Sequence, residues 1–191
     1  GYVVDASKTV SGIITPTQTE VIKETGTYAC AVSAMFAVSS HYVTLNRLKL
    51  SDLYSELWRL SGTWEEEEKY DQATGLYFTQ GKTSPDKPAP ALKEFCARRG
   101  KELETSFVWY PSWDSFRVNT DSGNLSIFSG RLRSNGSGHA MAVVGYVAMH
   151  NTYSNAKKYL LVVWNGWTNQ LQFLPYDVSI YTSHDGTYCK G

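Results

Sequence analysis

The distribution of apolar and polar positions divides the chain in two. The first 24 residues mix β-branched and polar types, as in YVVDASKTVSGIITPTQTEV, and predict an extended arm or short strand broken at Pro16. From Tyr28 to Tyr42 small residues surround Val32, Phe36 and Val38, the pattern of a helix packed closely on several sides and so placed centrally. Leu45, Leu48, Leu50, Leu53, Leu57 and Leu60 then predict two helices, with Ser51 as N-cap of the second and Gly62 as its stop. Residues 63–88, with Gly75, Gly81, Pro85 and Pro88, read as a long loop of the kind that forms a flap or contacts substrate. The segment APALKEFCARRG is a helix closed by Arg98, Arg99 and Gly100.

Strand signals dominate afterwards. ETSFVWY, NLSIFSGRL, GHAMAVVGYVAM and KKYLLVVWNGW read as strands, with SWDSFRVNTDSG as a short helix, and QLQFLPYDVSIYTS supplies a last strand or pair of strands. The predicted class is α+β with its elements segregated: one domain over 1–191, mainly helical over 1–103 and mainly an antiparallel sheet over 104–191.

Composition narrows the partners. Eighteen basic and eighteen acidic side chains cancel, which removes the electrostatic reason to expect nucleic acid or an anionic membrane. No apolar run approaches the roughly 20 residues of a membrane span. Abundant Tyr, Thr, Ser and Gly beside 19% charged residues point to a secreted or cell-surface protein. Of three cysteines, Cys96 and Cys189 could pair in an oxidising compartment and leave Cys30 free, or all three could be thiols. Glu65–Glu68 form a solvated acidic run without calcium-loop spacing, and no cluster has metal-ligand spacing, so no metal or cofactor is expected.

One constellation carries chemistry. Cys30 falls in the first turn of the central helix, where unpaired N–H groups and the dipole favour a thiolate and can donate to an oxyanion. His139 opens a buried strand after the flexible SNGSG, with access to substrate. Asn165, at the end of the apolar YLLVV strand and flanked by Trp164 and Trp167, could orient that imidazole while the indoles exclude water. His41 lies about three turns along the helix from Cys30, too far to be its base. His150 and His184 stand in polar, loop-like stretches.

Cysteine at a helix start, histidine on a strand, then asparagine on the next strand is the order of the papain-like cysteine peptidases. HAMAVVGY resembles their His-Ala-x-x-x-Val-Gly-Tyr pattern, and WNGW resembles their Asn-Ser-Trp at Asn165 and Trp167, with Gly166 for Ser. TYACAVSAMFAV is similar in position and helical character to their cysteine helix but lacks Gly-Ser-Cys-Trp. The segment before His139 resembles bacterial members, including bacteriocin-processing peptidases. The likeness in element order spans about residues 18–170. It implies a helical lobe with the central Cys30 helix packed on a sheet lobe, a peptide or protein substrate in the cleft between them, and a propeptide or protein inhibitor as a further class of partner. It also implies hydrolysis of peptide bonds by Cys30, His139 and Asn165, with Trp167 shielding the pair.

The resemblance departs at Glu24, where the family has an oxyanion-donating Gln six residues before the cysteine. A carboxylate accepts and does not donate. Gln18 or the Cys30 backbone N–H are the remaining donors. This substitution keeps two alternatives open: a weakly active or non-catalytic binding module, and an amidase or transferase acting on cell-wall or isopeptide bonds.

Overall fold

A computed structural model of the protein describes residues 1–45 and 48–191. In chain order the elements are β1 (Tyr2–Thr9), α1 (Gln18–Thr25), β2 (Thr27–Tyr28), α2 (Cys30–Tyr42), α3 (Leu50–Leu60), β3 (Trp64–Asp71), β4 (Leu76–Lys82) and α4 (Pro88–Ala97). They continue with β5 (Glu104–Trp109), α5 (Trp113–Asp121), β6 (Ser126–Leu132), β7 (Gly138–Asn151), β8 (Lys157–Trp164), β9 (Gln172–Pro175), a 3-10 turn at Val178–Ile180, and β10 (Tyr181–Lys190). The chain is a mixed α+β protein built on a large antiparallel sheet.

That sheet has seven strands in the order β5-β10-β6-β7-β8-β9, with β1 added against β7. The length of β7 explains the addition. Its first half, Gly138–Val143, pairs with β6, and its second half, Gly145–Asn151, takes β1. Close approach of β1 requires Gly145, where a Cβ would stand 2.4 Å from the Lys8 carbonyl oxygen.

Helix α2 is buried from Val32 through Ser39. Its small side chains let it lie against β7 on one side and α3 and α4 on the others. α3 turns Leu53, Tyr54 and Leu57 into the same core, and α4 adds Leu92, Phe95 and Cys96. A second, aromatic core fills the opposite face of the sheet, where Phe116 of α5 meets Phe128, Tyr181 and Tyr188. Alternation along the strands sorts side chains between these two cores.

Three expectations are corrected. Residues 18–25 are helical rather than extended: Thr17 and Glu20 form a reciprocal capping box, and Gly26 closes the helix in the left-handed region at φ 66°. Residues 63–88 are mostly an antiparallel hairpin, β3–β4, joined to β2 by a parallel pair at Thr27–Thr79 and Tyr28–Gln80. The N-cap position of α3 is Lys49, which makes no side-chain cap bond, so Ser51 sits inside the first turn. Of the first of the two expected helices, residues 46 and 47 lie outside the described residues, and Leu45, Leu48 and Lys49 beside them are in neither helix nor strand. Segregation is therefore incomplete, since the first half contributes β1 and a three-stranded sheet and the second half contributes α5. Among the described residues no helix is long and apolar enough to cross a membrane.

Candidate active site

Cys30 is the first residue of α2. The residue before it, Ala29, has no side chain to cap the helix. Its N–H donates instead to the Tyr54 hydroxyl at 2.9 Å, and that hydroxyl donates back to the Ala29 carbonyl at 3.0 Å. Buried Tyr54 thus clamps the backbone that carries the thiol. No feature of the leucine-rich α3 pattern distinguished this tyrosine from ordinary core.

Cys30 and His139 line one cleft of about 540 Å³, bounded by α2, the β3–β4 hairpin, the α4 entry, and β5, β6, β7 and β10. The Ala140 N–H donates to Cys30 Sγ at 3.4 Å, which ties the thiol to the strand that bears His139. Burial pushes the Cys30 thiol above its ordinary value, while the N–H groups of Ala140, Ala31 and Cys30 itself pull it down. The helix start thus opposes the burial cost without reversing it. Burial likewise lowers the His139 imidazole, opposed by its hydrogen bond to Asn165. Both shifts favour the neutral form of their group, thiol and imidazole alike.

His139 Nε2 lies 2.8 Å from the Asn165 carbonyl oxygen. A carbonyl only accepts, so Nε2 carries the proton and Nδ1 is left with its lone pair. Trp167 stacks on the imidazole, with centroids 4.5 Å apart and planes 21° from parallel. Among the described residues no hydrogen bond joins Cys30 Sγ to the imidazole; such contacts commonly tighten only when substrate binds.

Asn165 therefore contacts His139 through its main chain and not through the amide expected from the sequence. The physical reason is that its amide is already engaged: Nδ2 donates to Gln172 Oε1 at 2.9 Å, and Oδ1 accepts the Trp167 N–H at 3.0 Å. These bonds fold the turn that presents both the carbonyl and the indole. Gly166 within it has φ 83°, and a Cβ there would stand 2.6 Å from the Tyr28 hydroxyl, a buried group without a hydrogen-bond partner. Gly166→Ala is expected to cost about 1–3 kcal/mol in urea unfolding, from the left-handed backbone and the contact together. Tyr28→Phe in that background should recover part of the loss, and full additivity of the two substitutions would rule the contact out.

The other sequence candidates lie elsewhere. Glu24 is exposed on α1 and does not line the cleft; Gln18 begins the same helix and does not line it either. Among the described residues the side-chain amide that does line it is Gln80, whose Nε2 donates to Glu66 at 3.3 Å. The sequence does not mark it, because its strand, β4, reads as loop. His184 is not in a loop: it is buried on β10, 5.2 Å from the Tyr110 ring, and burial lowers its imidazole. His150 lies on β7, with Nδ1 2.6 Å from Asp5 Oδ1. Cys30, Cys96 and Cys189 are all free thiols.

One cleft residue escaped the sequence reading. Asp185 is only 5% exposed, and burial pushes its carboxyl up to about 7 against the opposing pull of the Ser129 hydroxyl. Asp185 follows His184 in a stretch that reads as polar and loop-like, so nothing along the chain marked it as a buried strand residue. No protein-family model matches the chain, and no curated protein matches it.

Proposed function

We propose that the protein is a papain-like cysteine peptidase that hydrolyses peptide bonds of an extended substrate lying in the cleft between a helical lobe and a sheet lobe. The observation that carries this reading is the meeting of Cys30 and His139 in one cleft, with the imidazole fixed by the Asn165 carbonyl so that its free lone pair is on Nδ1. Cys30 Sγ attacks the substrate carbonyl carbon as its proton passes to His139 Nδ1. His139 then gives that proton to the leaving amine as the C–N bond breaks, leaving a thioester on Cys30. Water attacks the thioester, its proton going to His139, and the acid product departs as the proton returns to the thiol.

The tetrahedral intermediate needs donors. The Cys30 N–H, which opens α2 and has no partner within the helix, supplies one. Glu24 supplies none, being exposed on α1 away from the cleft. That displacement favours the second reading, a weakly active or non-catalytic module that binds the same extended peptides. Amidase or transferase chemistry on cell-wall or isopeptide bonds would use the same pair.

A peptidyl chloromethyl ketone separates the readings, because it alkylates a thiol that a neighbouring imidazole activates. The expected product is a single adduct on Cys30, formed about 100-fold faster than with a simple thiol and lost in His139→Ala. Cys96 and Cys189, both buried, should stay unmodified. Alkylation of Cys30 no faster than that of a simple thiol would sink the catalytic reading.

A further inference from the structure

We propose that Asp185, with Trp109 beside it, selects a lysine or arginine side chain of the peptide that occupies the cleft. This deepens the preceding reading by naming the substrate class, and it rests on that reading for the orientation of the peptide.

The register of the sheet places the residues. Ala140 of β7 is opposite Ser129 of β6, Ser129 is opposite Asp185 of β10, and Asp185 is opposite Trp109 of β5. Directly opposed residues in antiparallel strands project from the same face. These four therefore form one row across the sheet, on the face that carries α2, and all four line the cleft. The row starts at the N–H that touches Cys30 Sγ. At about 4.8 Å per strand, Asp185 lies two strands away, roughly 10 Å along it. A long side chain from a peptide bound over Cys30 can extend along the row to the carboxylate.

Chemistry decides which side chain. Asp185 is more than nine-tenths buried, and among the described residues it makes no ion pair. The other charges of the cleft are already engaged. Glu66 pairs with Lys82, Glu67 pairs with Lys69 at 2.9 Å, and Arg131 donates through Nε to the Gly136 carbonyl at 2.8 Å. A buried carboxylate without a cation is costly to ionise, and a cation brought by a ligand repays that cost. Trp109 is 50% exposed at the end of the row and offers an aromatic wall to the same ligand. Cations with aliphatic stems bind well where a carboxylate and an indole converge. A neutral side chain of the same length would leave Asp185 buried and unpaired.

The test uses otherwise identical alanine-glycine pentapeptides in which each position in turn is lysine, norleucine or glutamate. Binding to Cys30→Ala protein is read by fluorescence anisotropy, and kcat/KM is read with the unmodified protein. At one position lysine should exceed norleucine about 10-fold, and Asp185→Asn should bring the ratio to within about 2-fold. A lysine-to-norleucine ratio below about 3-fold at every position, the absence of any peptide binding, or a preference that survives Asp185→Asn overturns the proposal. If peptides are hydrolysed without that preference, the peptidase reading stands and this one falls. If the preference appears in binding without hydrolysis, this one stands and the catalytic reading falls. Near-ultraviolet circular dichroism of Asp185→Asn checks that the fold is kept, and Trp109→Ala, expected to weaken lysine binding about 3-fold with norleucine unchanged, supplies an independent variant.

Discussion

Replacing His139 by alanine is expected to lower kcat/KM for peptide hydrolysis at least about 100-fold, and replacing Asn165 by alanine should cost far less. The difference follows from which atoms hold the imidazole. His139 Nε2 donates to the Asn165 carbonyl, and every residue at position 165 has a carbonyl. The Asn165 amide acts on the turn instead, through Gln172 and the Trp167 N–H. Asn165→Ala loosens the turn and the stacked indole, so its effect should appear largely as lost stability, whereas the loss of rate in His139→Ala should far exceed any change in its stability. An Asn165→Ala loss as large as that of His139→Ala would mean that the amide itself orients the imidazole in the complex. The pH profile provides a second readout. Burial holds the His139 imidazole below its ordinary 6.5, so the acid limb of kcat/KM should lie below that value. Above it the imidazole is neutral and able to accept the Cys30 proton. An acid limb above 6.5 would show the reverse, a proton retained by a charged neighbour.

The places of Cys30, His139 and Asn165 in the fold were legible in the sequence because each sits at the end of a strongly patterned element. A run of small residues marks α2, and the apolar runs of β7 and β8 leave little choice of element. What stayed hidden is what those elements do to one another. The Thr17–Glu20 capping box and Gly26 were visible signals for α1, overridden by the β-branched residues before them. β3 carried no usable signal: WEEEEKYD is exposed along nearly its whole length, so its two faces do not alternate between apolar and polar. Asp185 is the informative failure. His-Asp-Gly has turn composition, yet β10 runs unbroken through it because β5 and β6 pair with it on both edges. Tertiary pairing there outweighs local propensity, and it buries a carboxylate that no local rule would bury.

That burial should be measurable as an inverted pH dependence of stability. The Asp185 carboxyl ionises at about 7 in the folded protein, raised from an ordinary 3.8. Between these values the folded protein holds a proton that the unfolded chain has released, so raising the pH favours unfolding. The stability cost is absent below about pH 4, grows through the interval, and is complete above about pH 8. With Asp185 buried and no cation paired to it among the described residues, the cost at high pH is roughly 2–4 kcal/mol. Asp185→Asn keeps the shape and removes the charge. It should therefore match the unmodified protein near pH 4 and exceed it at pH 8, by about 5 °C or more in Tm. Other groups titrate over the same range, among them His139 and His184, whose lowered imidazoles make the folded protein more stable as pH rises towards 6.5. They are common to both proteins and cancel in the difference. Curves that remain parallel from pH 4 to pH 8 would show that the Asp185 carboxyl ionises normally, with a cation or water reaching it in the free protein. A lysine peptide that binds the cleft should narrow the gap at pH 8, because it brings to the folded state the charge that Asp185 lacks.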